Sequence, residues 1–170
     1  MSNIFKSSIG RKIAMALSGI FLIVFLTQHF LINITSVFSE EIFNMLSHFM
    51  GNNPLVQFIL QPILIAGVLF HFVMGFVLEW QNRKARPVTY AIYKGSRNSM
   101  FVSRNMIISG IVILSFLALH FYDFWVPEMD YKYVKSLPED PNRYYEELIH
   151  KFENPVRVGL YLSLIHISEP

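Results

Sequence analysis

The amino-acid sequence predicts an all-α protein: a transmembrane helix bundle with three complete spans and the beginning of a fourth, in a single domain over residues 1–170. Two observations predict it. Hydrophobic residues make up 53% of the chain and charged residues only 15%, too apolar for a soluble domain of ordinary composition. The charges are also bunched, leaving uncharged runs of about twenty residues or more. That length crosses a hydrocarbon core of about 30 Å at roughly 1.5 Å per residue.

The first run lies between Lys12 and Glu40, which enclose no Asp, Glu, Lys or Arg, and it predicts a span over about 13–34. The basic segment ahead of it has the charge of a signal peptide. No small-residue cleavage pattern ends the run, so the helix is expected to stay in place. A second uncharged stretch follows Glu41 and is broken by Asn52, Asn53 and Pro54, which leaves 55–78 as the second span. Ahead of that break, Ile42, Met45, Leu46 and Phe49 recur at helical spacing with Glu41, Asn44 and His48 off that face. This is the pattern of a helix lying along the membrane interface.

The third span, 105–126, follows Arg104 and closes with Tyr122 and Trp125, aromatic residues suited to the water boundary. Asn154 and Pro155 are a good N-cap and first-turn residue for a fourth helix over about 155–165. About fifteen residues remain there, and Ser168, Glu169 and Pro170 cannot continue a span. The tail 162–170, LSLIHISEP, resembles translated sequencing-adapter read-through, so the fourth helix is expected to be truncated in the gene record.

Lys6, Arg11, Lys12, Arg83, Lys84, Arg86, Lys94, Arg97 and Arg104 all fall on one side of the predicted spans, which places that side and the N-terminus in the cytoplasm. A docking surface for a peripheral partner is the alternative use of the basic 81–103 loop. The opposite side has no Lys or Arg over 36–53, and the long loop after Trp125 carries more acid than base. The expected location is a membrane with the N-terminus on its cytoplasmic side, with the lipid bilayer as a partner and no nucleic acid.

The chain has no cysteine, so it forms no disulfide and holds no cysteine-ligated iron–sulfur cluster. No Gly-rich dinucleotide fingerprint or P-loop spacing occurs, and the glycines sit in apolar runs as helix-packing residues. Any cluster, flavin or nucleotide chemistry must then belong to another chain.

Three histidines lie inside predicted spans. His29 is sixteen residues beyond Ile13, and His120 is sixteen beyond Arg104, so each stands roughly 24 Å from the cytoplasmic entry. The second helix runs back inward, and His71, eight residues before Glu79, lies roughly 12 Å from that boundary. Imidazole in hydrocarbon is costly and normally faces a partner, a cavity or a cofactor. A porphyrin in a helix bundle takes one neutral His from each of two helices, and with both axial positions filled it carries electrons. His29 with His120 fits that pairing by depth, while His71 needs a partner from a fourth helix at the inner level. A hydrogen bond to a neighbouring helix is the alternative for each histidine, and the matched depth of His29 and His120 weighs against it.

Gly67 and Gly75 lie four residues either side of His71, where they suit either a flat macrocycle or close helix packing. Phe25, Phe30, Phe116 and Phe121 read as lipid-facing or packing residues. His48 and His150 read as solvated. His166 stands eleven residues past Pro155, roughly 16 Å in from the outer side, which is the wrong level for His71, and it lies in the doubtful tail.

Three segments carry a family resemblance: SSIGRKIAMALSGIFL leading to His29 and Asn33, LFHFVMGFVLEWQNRKARPVTYA around His71, and SRNMIISGIVILSFLALHFYDFW around His120. Over about 7–161 the chain resembles the single-chain, two-haem cytochrome b subunit of succinate dehydrogenases and fumarate reductases, a five-helix membrane anchor. The resemblance implies haem b as cofactor, with His29, His71 and His120 as three of four iron ligands. It pairs His29 with His120 and assigns His71 an inner haem whose other ligand sits on the fourth helix, which this sequence does not contain. It also implies a flavoprotein subunit, an iron–sulfur subunit and menaquinone or another quinone as partners. The chain would then be an electron-transfer subunit without a dicarboxylate site of its own.

Two other classes compete. A cytochrome b anchor of another respiratory dehydrogenase, such as a hydrogenase or formate dehydrogenase, would use the same histidines. A haem-free transporter or anchor component would line a proton or ion path with the buried His and Asn33, although no internal repeat or pair of broken helices is present. Glu40, Glu41 and His48 could exchange protons with a quinol at the outer end of helix I, against the simpler reading of a solvated acidic loop.

Overall fold

The computed structural model describes residues 7–85 and 106–168. Lys6, Arg86, Lys94, Arg97, Arg104, the third-span entry at Asn105, and Glu169 and Pro170 of the tail lie outside the described residues. The described chain is all-α, with no strand among the described residues. Three helical runs are long and apolar enough to cross a bilayer: Ser8–Val37, Val56–Lys84 and Met106–Val134. This is a multi-pass membrane protein. The side chains support it, because Ile23, Val24 and Phe30 are each more than 60% exposed, as are Phe58 and Val156. So much uncovered apolar surface suits lipid and not water.

Hydroxyls within the spans follow the same solvent logic. Ser18 and Ser109 donate to the carbonyls of Met15 and Met106, and Thr27 and Ser115 to those of Ile23 and Ile111. With no water in the hydrocarbon, a hydroxyl returns its proton to the preceding turn of its own helix.

The described residues fall into two compact units. The first holds 7–85 with Pro141–Tyr145. Its first helix, α1 (Ser8–Ile34), starts earlier than Ile13 because Ser7 adopts extended backbone and accepts a hydrogen bond from the Gly10 N–H at 2.9 Å. A 3-10 turn at Thr35–Val37 leads to α2 (Glu40–Asn52). There Ser39 is the N-cap, and Glu40 and Glu41 lie in the first turn, where the helix dipole favours carboxylates.

Phe43 and Asn44 are the buried residues of α2, Asn44 against the expectation of an outward polar face, while Ile42, Met45 and Phe49 stay exposed. Asn44 Oδ1 accepts the Tyr145 N–H at 2.9 Å, and Phe43 meets the Tyr145 ring edge-on. His48 is tethered and not simply solvated: its Nε2 lies 3.2 Å from the Pro141 carbonyl oxygen, and its Nδ1 lies 3.3 Å from the Asn52 side-chain amide.

Asn53 takes extended backbone and its side chain accepts from the N–H groups of Leu55 and Val56, so the Asn-Pro break also caps the next span. A π-helical turn (Val56–Leu60) opens into α3 (Gln61–Lys84), which continues past Leu78. Arg83 and Lys84 lie in its last turn, where cations suit the helix dipole, and Arg83 pairs with Glu79 at 2.7 Å. Helices α1 and α3 pack directly on each other.

The second unit holds 106–140 and 146–168. Its long span begins as α4 (Met106–His120), passes through a π turn (Phe121–Trp125), and continues as α5 (Val126–Met129) and a second π turn (Asp130–Val134). The sequence predicts an end near Val126, but the helix runs on through Pro127. Proline normally breaks a helix by removing an N–H. Here the wider π pairing, with the Val126 N–H reaching the Phe121 carbonyl, changes the register just before it. A further helix unread in the sequence, α6 (Arg143–Phe152), lies in the segment after the third span, with its first three residues in the first unit and the rest in the second. Asn154 then caps α7 (Pro155–Ser168), accepting from the Val156 and Arg157 N–H groups.

Candidate functional site

Each long span carries one of the three sequence-predicted ligands. His29 lies on α1, His71 on α3 and His120 at the end of α4. His29 and His71 belong to the first unit and His120 to the second.

His71 is the best defined. Its Nδ1 is 2.8 Å from Ser18 Oγ on α1, and a Cβ added to Gly19 would meet His71 Cε1 at 3.5 Å, so the imidazole lies on the Ser18-Gly19 pair. Ser18 stands eleven residues before His29 on the same helix, which puts His71 about 16 Å from the level of His29 along α1. The first unit thus presents imidazoles at two separate depths.

The glycines flanking His71 differ. A Cβ on Gly67 would sit 2.8 Å from Phe21 Cε1, so this glycine admits an aromatic ring from α1, a close helix-packing contact. Gly75 faces Met15 at 3.9 Å, an ordinary contact.

At the other two histidines an aromatic ring occupies the position one turn earlier on the same helix. Phe25 stacks on His29 with centroids 5.5 Å apart, and Phe116 stacks on His120 at 5.9 Å with planes within 7°. Phe21 of α1 packs against Gly67, one turn before His71 on α3. The repeated spacing Phe-x-x-x-His in two spans was visible in the sequence, where Phe25 and Phe116 were read only as packing or lipid-facing residues. Asn33 turns its amide back onto the His29 carbonyl at 2.8 Å, within its own helix.

The residues fit haem ligation where the donor chemistry can be read. An axial imidazole needs one nitrogen with a free lone pair and benefits from a partner on the other. His71 has such a partner on Nδ1, and its Nε2 makes no hydrogen bond among the described residues.

A second polar cluster was missed in the sequence. Asp123 is 1% exposed, the deepest charged residue among those described. Its carboxylate meets Arg157 Nη1 at 2.7 Å, accepts from the Tyr161 hydroxyl at 3.0 Å and lies 3.9 Å from Lys151 Nζ. Arg157 and Tyr161 are four residues apart on α7, so one face of that helix supplies both. Phe116 and Phe152 flank the Tyr161 ring at 5.6 Å, which keeps water from the carboxylate. The available signal was plain: Asp123 is the one Asp, Glu, Lys or Arg in 105–126. An intramembrane acid marks a constrained position.

Comparison with family models, with curated proteins and with solved structures finds no match to this chain.

Proposed function

We propose that this chain is the haem b-carrying membrane anchor of a succinate:quinone oxidoreductase, a succinate dehydrogenase or fumarate reductase of a bacterial cytoplasmic membrane. Its role is to pass electrons between the flavoprotein and iron–sulfur subunits and membrane quinone, menaquinone or another. One observation carries the reading: each long apolar span bears a single intramembrane histidine, and within the first unit two of them stand at separate depths about 16 Å apart. The three sequence segments that resemble the family add the substrate class and the partners.

Haem bound to such histidines supplies reversible one-electron iron chemistry. The chain's own residues do the rest. In the pairing that the resemblance implies, His29 and His120 would hold one haem and His71 one side of another. The apolar spans keep water from the iron ligands, and the basic residues Arg11, Lys12, Arg83 and Lys84 hold the N-terminal face toward the cytoplasm.

Replacement of single histidines in the complex tests the reading. His29→Ala and His120→Ala are expected to remove the same haem b, and His71→Ala a different one, seen as separate losses in reduced-minus-oxidised spectra. Spectra unchanged by all three replacements would sink the proposal and leave the haem-free anchor or transporter.

A further inference from the structure

Ser18 and His71 are 53 positions apart in the chain and meet across the α1–α3 contact. The serine hydroxyl has one proton and two lone pairs. Its oxygen lies 2.9 Å from the Met15 carbonyl on its own helix and 2.8 Å from His71 Nδ1 on the other. A carbonyl oxygen can only accept, so when the Ser18 proton goes to Met15 the remaining contact must run from the imidazole: Nδ1–H donates and Ser18 Oγ accepts. Thr27, Ser109, Ser115 and Ser163 also give their protons to carbonyls of the preceding turn, so this orientation is the rule in these helices. The consequence is a chosen tautomer. With the hydrogen on Nδ1, the lone pair is on Nε2, the nitrogen without a hydrogen bond among the described residues.

We infer that Ser18 is a positioning residue that fixes His71 in the Nδ1–H tautomer and presents Nε2 as a metal ligand. This rests on the haem reading above and deepens it, because nothing in the family resemblance assigns Ser18 a role. The Gly67–Phe21 contact locks the same pair of helices one turn away. Accepting a hydrogen bond from Nδ1 also makes the imidazole a stronger donor, which favours ferric over ferrous iron. Ser18 therefore holds the potential of the haem on His71 low.

The test is a redox titration of the haems in the purified complex, followed optically and by electron paramagnetic resonance, in wild type, Ser18→Ala, Ser18→Thr and Ser18→Val. Thr and Val have nearly the same shape and differ in the hydroxyl, so they separate the hydrogen bond from packing. Ser18→Ala and Ser18→Val are expected to raise the midpoint potential of one haem, the one lost in His71→Ala, or to lose it. Ser18→Thr is expected to keep that haem near its wild-type potential and g values. Unchanged potential and g values in Ser18→Ala, or equal shifts in Ser18→Thr and Ser18→Val, would overturn the role of Ser18 while leaving the haem reading standing. A wild-type complex without haem b would overturn both.

Discussion

Asp123→Ala is expected to destabilise the protein by about 3 kcal/mol, the low end of the cost of stripping one partner from a buried ion pair. The carboxylate is almost wholly buried and meets Arg157 at 2.7 Å, with Lys151 3.9 Å away. Removing it leaves a guanidinium without its counter-charge and the Tyr161 hydroxyl without its acceptor. The low end applies because the Arg157 and Lys151 side chains stay 25% and 30% exposed and can turn toward water or headgroups. Unfolding in mixed micelles of mild detergent and SDS measures the effect as a fall in the midpoint. Asp123→Asn, which can still accept from Tyr161, should fall between Ala and wild type. Combining Asp123→Ala with Arg157→Ala should cost less than the sum of the single changes, because the second removes the orphaned charge. Wild-type stability in Asp123→Ala would show that the cluster contributes nothing.

Gly67→Leu should be nearly as damaging, for a steric reason. The first carbon of any side chain there would lie 2.8 Å from the Phe21 ring, and leucine adds three more. Overpacking of this kind costs about 1–3 kcal/mol, and relief displaces the Phe21 ring and drives α1 and α3 toward separation. That separation stretches the 2.8 Å contact between Ser18 and His71. The variant is therefore expected to lose stability and, on the proposed function, the haem proposed for His71, and Phe21→Ala in the same chain should recover part of each. Full stability in Gly67→Leu would contradict the close packing of the two helices.

The sequence and the structure part company for identifiable reasons. Uncharged runs reveal spans because the cost of charge in hydrocarbon is a property of each residue, so the three long helices were legible. The Asn53-Pro54 break was legible too, since capping and proline geometry act over a few residues. The end of the third span was not. Pro127 argues locally for a stop, and the π turn that accommodates it is a backbone register that residue types alone do not announce.

Partnerships across helices were the least legible. Asp123 with Arg157 and Tyr161, Ser18 with His71, and Phe21 with Gly67 join residues 34 to 53 positions apart. Periodicity places each residue on a face and cannot say which helix that face meets. The level of each histidine along its helix needs only a count of residues, but the Ser18 contact of His71 lies across two helices and is invisible to that count.

The most direct measurement is the haem b content per copy of this subunit, from a reduced-minus-oxidised spectrum of the complex purified from native membranes. Two haems per copy are expected on the proposed function. A complex with no b-type absorption band would contradict the haem-anchor assignment.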